Sequence, residues 1–372
     1  MYSMQEVLDP QFLSTEYTKV SSISQSIPFF DFFIPSGSEE NYAGDQIEMP
    51  RFAGERRAAP SNKRGSPART LNVNAGEKVL AVPIHFFNEI TLPRDCLRYL
   101  REPASPAVQN KGVTEISRHL RDFGYRQKVA KAVHLSKLMF NGIIYYGFDG
   151  GILESSTDAE LTMDFTMGAT HQDQLAHASN GDSDIIDIAW DSASALIMRD
   201  LDQIRVAAEY DMVPEPRHVW CPVVMKQWIR ANTELKSFIV LNSPRAEEFL
   251  VGPGDTLEFP SQRWTFHFSA QTYIGADGST VRDLIPATKV LITPDPTDGN
   301  WLTKYATDED VPTQEGIAGS VAEANAQIQS VFGDFAYLRN TTNPPKLSLF
   351  LGTNFHYGLA DVNAIWQPTV DF

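Results

Sequence analysis

Histidines and carboxylates close together are the residues most able to do chemistry, and this chain gathers them once. In HQDQLAH, His171 and His177 lie near Asp173, Asp182, Asp184 and Asp187. Imidazole nitrogens and carboxylate oxygens could hold a metal ion that activates water, which would make the chain a metal-dependent hydrolase. The spacing argues against it. Six residues do not bring two side chains onto one helical face, no HExxH or HxH pattern occurs, and the acids also serve as charges at the N-terminus of a following helix. Cys96 and Cys221 stand alone, outside any ligand-spaced pair, and read as reduced thiols. There is no GxSxG nucleophile elbow, no GxxxxGK[ST] phosphate loop and no GxGxxG fingerprint. Glycines in VGPGD (251–255) are explained by a turn. No catalytic residue, metal or cofactor is therefore expected.

A second constellation is electrostatic. Residues 51–70 carry Arg51, Arg56, Arg57, Lys63, Arg64 and Arg69 against the single acid Glu55, a net +5 in a chain whose total is −16. Punctuated by proline and glycine, this island is opposite in sign to the rest of the protein and suited to an acidic face, most simply that of another copy. The alternative is a solvated loop. Ile47 and Met49 before it, and Leu71 and Val73 after it, alternate with polar neighbours, so the flanks read as strand arms of a hairpin with the basic residues at its tip.

Positioning these groups requires a large body. The chain has 372 residues, 42% hydrophobic and 21% charged, which is ordinary for a globular protein with more than one core. Its longest apolar run is too short to span a membrane, and the first residues carry no signal-like pattern, which implies a cytoplasmic protein. An acidic chain without a basic tail is not expected to bind nucleic acid tightly.

Residues 1–45 show no sustained period. Phe29, Phe30, Phe32 and Phe33 in SIPFFDFFIP suggest an extended arm packing onto a neighbour or onto the body. Residues 79–92 read as extended, and RDCLRYLREP as a short helix ended by Pro103 and Pro106. Spacing of Ile116, Leu120, Phe123, Ala130, Val133, Leu138 and Met139 predicts one long helix over 113–140, closed by Gly142. Arg118, Arg121, Arg126, Lys128, Lys131 and Lys137 would give it a basic, solvated face. Helical spacing returns over 185–208. HVWCPVV reads as a buried strand running into a helix at 225–232, followed by strands near 238–242, 264–269, 271–274 and 289–293. In WTFHF the aromatics Trp264, Phe266 and Phe268 alternate to form one buried face, with His267 directed the other way. KLSLFLGTN and VNAIWQPTV give two final strands returning to the sheet of the long-helix domain. Helices and strands interleave without a βαβ period, so the fold class is α+β.

The string WTFHFSAQTYIGADGSTVRDLIPATKVLITPDP (264–296), with Tyr273, the Asp277–Gly278 turn, Ile285–Pro286 and the strand Val290–Ile292, resembles the tailed-bacteriophage major capsid proteins of the lambda-like family E. DPQFL (9–13), ITLPRD (90–95) and HVWCPVVMKQWI (218–229) agree in the same order. The resemblance implies a Hong Kong 97-type capsid fold. Its parts would be an N-terminal arm (1–45), an extended loop (46–80), a peripheral domain (81–184) with the spine helix, and an axial domain (185–335). Strands at 336–372 would return to the peripheral domain. It further implies self-assembly into pentamers and hexamers of an icosahedral head shell in the virion, assembled in the host cytoplasm with scaffold, portal and possibly decoration partners. Packaged double-stranded DNA would be enclosed without being specifically bound. A nanocompartment shell subunit of the same fold is the alternative. In that frame the basic loop lies across the adjacent subunit; some members of the fold crosslink loop lysines to asparagines, and Lys63 is the only lysine in the tip here, with no asparagine partner identified.

Overall fold

A computed structural model describes residues 26–44, 47–51, 77–81, 83–91, 106–147, 151–168, 171, 186, 188–242, 255–259, 262–275, 278–312, 328–342 and 345–370. The first elements are helix α1 (Pro28–Phe33) and strands β1 (Glu40–Tyr42), β2 (Ile47–Arg51), β3 (Glu77–Ala81) and β4 (Ile84–Thr91). Helix α2 (Pro106–Asn141) follows, then β5 (Ile143–Tyr146), β6 (Ile152–Leu153) and β7 (Leu161–Asp164). Next come α3 (Ile197–Asp211), β8 (His218–Pro222), α4 (Met225–Ala231) and α5 (Thr233–Asn242). The rest is strand: β9 (Thr256–Phe259), β10 (Trp264–Ser269), β11 (Thr272–Ile274), β12 (Val281–Asp283) and β13 (Leu291–Thr293). The last four are β14 (Leu302–Pro312), β15 (Ile328–Phe332), β16 (Asp334–Thr342) and β17 (Pro345–Leu359).

These elements divide into two compact units. The first comprises Met1–Ile47, Ala81–Val133 and Lys304–Tyr357; the second comprises Glu48–Leu80, His134–Thr303 and Gly358–Phe372.

The first unit is built on a six-stranded sheet in the order β1-β14-β17-β16, with β15 added to β14 and β4 to β17. β1 runs parallel to β14, and β17 is antiparallel to both β16 and β4. Buried Phe335, Leu349, Leu351 and Phe355 supply its core, together with Ile116, Leu120 and Val133 of α2. α2 starts at Pro106, where the sequence suggested that a helix ends. Proline is favoured in the first turn because its missing N–H would lack an intrahelical acceptor there, and its fixed φ already suits the helix. The short helix expected at 94–103 lies outside the described residues. α2 has 36 residues, about 54 Å of rise, and stops at Gly142, whose φ of +67° a side chain would resist.

α1 corrects the extended arm expected for this stretch. Pro28 begins the helix, and the Asp31 carboxylate, four residues past the N-cap, accepts the Ile27 N–H at 3.1 Å and so satisfies a donor at the helix start. Phe29, Phe30 and Phe33 are buried within the chain itself, with Phe29 and Phe33 edge-to-face at 5.2 Å and Phe30 tilted against Tyr357 at 6.1 Å. Phe32 is half-buried and meets Phe33 at 90°.

In the second unit a four-stranded sheet runs β13-β8-β10-β9, with β8 and β10 parallel. Trp264, Phe266 and Phe268 are buried as the alternation of β10 predicts. β8 passes into α4 as HVWCPVV suggested. The strand expected at 238–242 is instead the end of α5. Asn232 decides it: its Oδ1 accepts the Leu235 N–H at 2.9 Å and its Nδ2 donates to the Ala195 carbonyl at 2.8 Å, a buried cap that starts a helix before the apolar run arrives. Helical structure expected from 185 begins at Ile197 in α3, which ends on the left-handed residue Met212. A three-stranded sheet β6-β5-β7 and the hairpin β11–β12 complete the unit. Of the two final strands expected, β17 joins the first unit's sheet. The second does not: residues 362–364 form a single 3-10 turn, and Trp366 and Thr369 bridge Ile292 and Lys289 of the second unit.

Candidate assembly surfaces

β2 and β3 pair as a separate two-stranded sheet and so bring together the two ends of the basic segment. Arg51 closes β2, whereas Arg56, Arg57, Lys63, Arg64 and Arg69 lie outside the described residues, as does the TLNVN stretch read as the second arm. That arm forms slightly later, at Glu77–Ala81.

Of the six cations expected on the basic face of α2, three meet carboxylates of distant segments and a fourth, Arg118, pairs with Glu115 of the same helix at 3.3 Å. Lys128 meets Asp31 at 2.8 Å and Lys131 meets Asp334 at 3.1 Å and Glu39 at 3.6 Å, all in the first unit. In the second unit Lys137 pairs with Glu154 at 2.5 Å. Spacing alone reads a charged residue on an amphipathic helix as solvated, but these side chains lie across α2 from carboxylates supplied by distant segments. Arg118 remains exposed. Lys131 is almost fully buried over the Phe355 ring. Burial alone would lower its pKa; Asp334 and Glu39 overcome this and hold it above the ordinary lysine value. Tyr357 donates to Glu39 at 2.5 Å, and burial followed by the nearby carboxylate pushes its phenol well up. This four-residue cluster had no sequence signature, since its members come from positions 39, 131, 334 and 357.

One face of the first unit's sheet carries an aromatic array. Phe87 of β4 stacks on Phe350 of β17 at 5.4 Å, and Phe350 on Tyr337 of β16 at 5.1 Å. His85 and Phe335 extend it. Phe87 is 44% exposed. Such a ring surface on a strand next to the sheet edge is suited to a partner rather than to water.

The second unit exposes two further apolar features. Ile274 and Val281 are directly paired across the β11–β12 hairpin, and both are about two-thirds exposed. At the hairpin base, Glu154 accepts from Tyr273 at 3.1 Å and pairs with Arg282 at 2.6 Å. Burial would raise the pKa of Glu154, but Lys137, Tyr273 and Arg282 bring it below the usual range. On α3, Val206 and Tyr210 stand one turn apart on the exposed face, followed by exposed Met212.

The described histidines His171, His218 and His267 are engaged within the second unit. His171 is buried, its Nδ1 lies 3.1 Å from the Ile365 carbonyl, and its Nε2 lies 3.6 Å from Asp211. Burial lowers its pKa. His177, Asp173, Asp182, Asp184 and Asp187 lie outside the described residues, and among the described residues no three His, Cys, Asp or Glu gather to hold a metal. His267 stacks on Trp220 at 4.3 Å and shares a 3.1 Å contact with the Nδ1 of His218. Cys221 is buried and its thiol pKa raised well up, which leaves it unreactive; Cys96 lies outside the described residues.

No protein-family model matches the sequence, and no curated protein is similar to it. Solved structures do match. A phage-related protein from Bordetella bronchiseptica RB50 is 10% identical with a TM-score of 0.53, the alignment covering 97% of both chains. The putative capsid protein of a prophage of Escherichia coli CFT073 is also 10% identical with a TM-score of 0.53, covering 98% of this chain and 99% of that one. At this identity the likeness is one of fold, and it runs end to end. This chain has the mixed helix-and-sheet Hong Kong 97-type fold of phage capsid proteins.

Proposed function

We propose that this chain is the major capsid protein of a tailed bacteriophage, related to the lambda-like family E. It assembles into pentamers and hexamers that close an icosahedral head shell around double-stranded DNA. The observation that carries this is the near-complete mutual coverage with a putative prophage capsid protein. Exposed Phe87, Tyr210, Ile274 and Val281 and the basic segment 51–70 are then contact surfaces between copies. Residues 81–184 form the peripheral domain, to which the strands of 336–372 return, and residues 185–335 form the axial domain. Residues 46–80 are the extended loop. A role that is structural rather than enzymatic fits the engaged histidines and the buried thiol.

In this reading scaffold, portal and decoration proteins assist in the host cytoplasm. DNA is held inside without specific contacts, because a chain of net charge −16 offers few cations to displace phosphate counterions. Sedimentation and negative-stain microscopy of the purified protein, alone and with a co-expressed scaffold, test the reading. Rings or shells of this chain are expected. A monomer under every condition overturns it, as does a shell that fills with protein cargo and never with DNA.

A further inference from the structure

The first unit contains a cavity of about 650 Å³, walled by α1, by the segment between α1 and β1, by α2 and by the turn from β15 into β16. Gln127 of α2 lines it. This side chain is 4% exposed, and among the described residues neither its Oε1 nor its Nε2 has a hydrogen-bond partner. A buried carboxamide unpaired at both ends costs folding free energy, and a ligand that pairs both ends recovers it.

We propose that this cavity binds a short extended peptide bearing an arginine, with the peptide backbone on the Gln127 carboxamide and the guanidinium among the carboxylates of Asp31, Glu39 and Asp334. The carboxamide sets the first half of that chemistry. Its Oε1 needs a donor and its Nε2 an acceptor, side by side. In an extended strand the N–H and C=O of one residue point the same way and supply both. A free polyamine has donors only, so it would leave the Nε2 of Gln127 unpaired.

Charge sets the second half. Three lining carboxylates, Asp31, Glu39 and Asp334, face two lining ammonium groups, Lys128 and Lys131. Exposure widens the imbalance. The side chains of Asp31, Glu39 and Asp334 keep 37%, 24% and 21% of their surface, whereas those of Lys128 and Lys131 keep 14% and 8%. The cavity therefore shows its acids and hides its bases. Glu39 and Asp334 both approach Lys131, and a planar guanidinium has donors enough to meet this pair without displacing the lysine. Phe30, Ile34 and Phe332 give the aliphatic stem of the arginine an apolar wall.

Titration calorimetry of the full-length chain with acetyl-Val-Arg-Val-amide tests this. Saturable binding is expected, weakened by salt and at least about tenfold tighter than that of the same peptide with citrulline, which keeps the shape of arginine without its charge. Gln127→Leu should abolish binding and raise the melting temperature of the free chain, because it deletes both unpaired groups. The arginine–citrulline comparison uses the unmodified chain and decides the matter if Gln127→Leu fails to fold. No binding at millimolar peptide overturns the proposal. So does citrulline equal to arginine, spermidine binding as tightly as the peptide, or a Gln127→Leu variant that melts lower and still binds. Affinity that drops as the chain self-associates gives the arginine to a second copy, and affinity that persists gives it to a different protein; the site stands in both.

Discussion

Phe335 lies across Gly352. The two are directly opposite on the antiparallel strands β16 and β17, and a Cβ built on Gly352 would lie 2.1 Å from the Cζ at the tip of the Phe335 ring, far inside van der Waals contact. Phe87 is the partner of the same glycine on β4, so one residue without a side chain makes room in the sheet for the aromatic array.

Gly352→Ala should therefore displace a buried ring from a packed sheet. The expected cost is about 1–3 kcal/mol, typical of overpacking, with loss of near-ultraviolet dichroism from the stacked aromatics. Denaturant unfolding of the unassembled protein measures it, and a variant as stable as the parent would mean that the sheet relaxes freely at this point.

Lys131 and Tyr357 tie stability to alkaline pH. Both have pKa values raised in the folded protein, so their contribution is complete below the unfolded values of 10.5 and 10.0 and is lost as pH rises through the folded ones. Unfolding free energy should hold level to about pH 10 and then fall. Asp334→Asn removes one of the two carboxylates that raise the lysine, so the part of the alkaline loss due to Lys131 should shrink while that of Tyr357 remains. At neutral pH its cost should be below the ~3–5 kcal/mol of breaking a fully buried pair, because Glu39 still faces the ammonium.

At acid pH both units contribute: burial lowers the pKa of His356 in the first unit to about 4, and His267 in the second is lowered further. Burial, followed by the neighbouring His218, lowers the pKa of His267 to about 3, against an ordinary value of 6.5. Its 3.1 Å contact with His218 needs one ring nitrogen to accept, so both rings cannot be fully protonated without separating. Stability is present above pH 6.5 and lost progressively as pH falls toward 3. His267→Phe keeps a ring against Trp220 and removes the titration, so the slope of unfolding free energy between pH 6.5 and 4 should flatten. An unchanged slope would move the proton uptake to other histidines.

The basic segment is tested by reversing Arg56, Arg57, Lys63 and Arg64 to Glu together. Each exposed ion pair contributes only about 0.2–1 kcal/mol, but the change recurs at every contact around a closed ring. Capsomer formation should be lost and partly restored by salt, which screens the new repulsion, while the melting temperature of the unassembled chain stays the same. Assembly at low salt equal to the parent's would make the segment an ordinary solvated loop.

Elements with one strong period could be read directly from the residues. Trp264, Phe266 and Phe268 alternate and are buried, and HVWCP followed by the helix at Met225 is found as expected. α1 escaped because six residues are too few to display a helical period and Pro28 reads as loop. FIVL in α5 looks like a strand until Asn232 is seen to cap the turn before it. The site was less legible. The basic segment stands out by charge alone, but the Lys131 cluster depends on pairings between remote parts of the chain that no local pattern encodes. The four phenylalanines were recognisable as an apolar group packing onto a neighbour or onto the body, and Phe29, Phe30 and Phe33 pack onto the body.

The threading of the first unit's sheet also sets a timetable for synthesis. β1 pairs with Tyr305–Thr307, and β4 with Ser348–Phe355, so neither early strand has its partner until the ribosome has nearly finished. At roughly 5–20 residues per second, β1 waits about ten to fifty seconds. The β13-β8-β10-β9 sheet is complete within one continuous stretch, His218–Thr293, and can form while translation continues. During that interval the unpaired edge of β4, with Phe87 upon it, is open to nascent chains on the same message. Co-translational chaperone occupancy should therefore peak before residue 348 emerges and end abruptly after it.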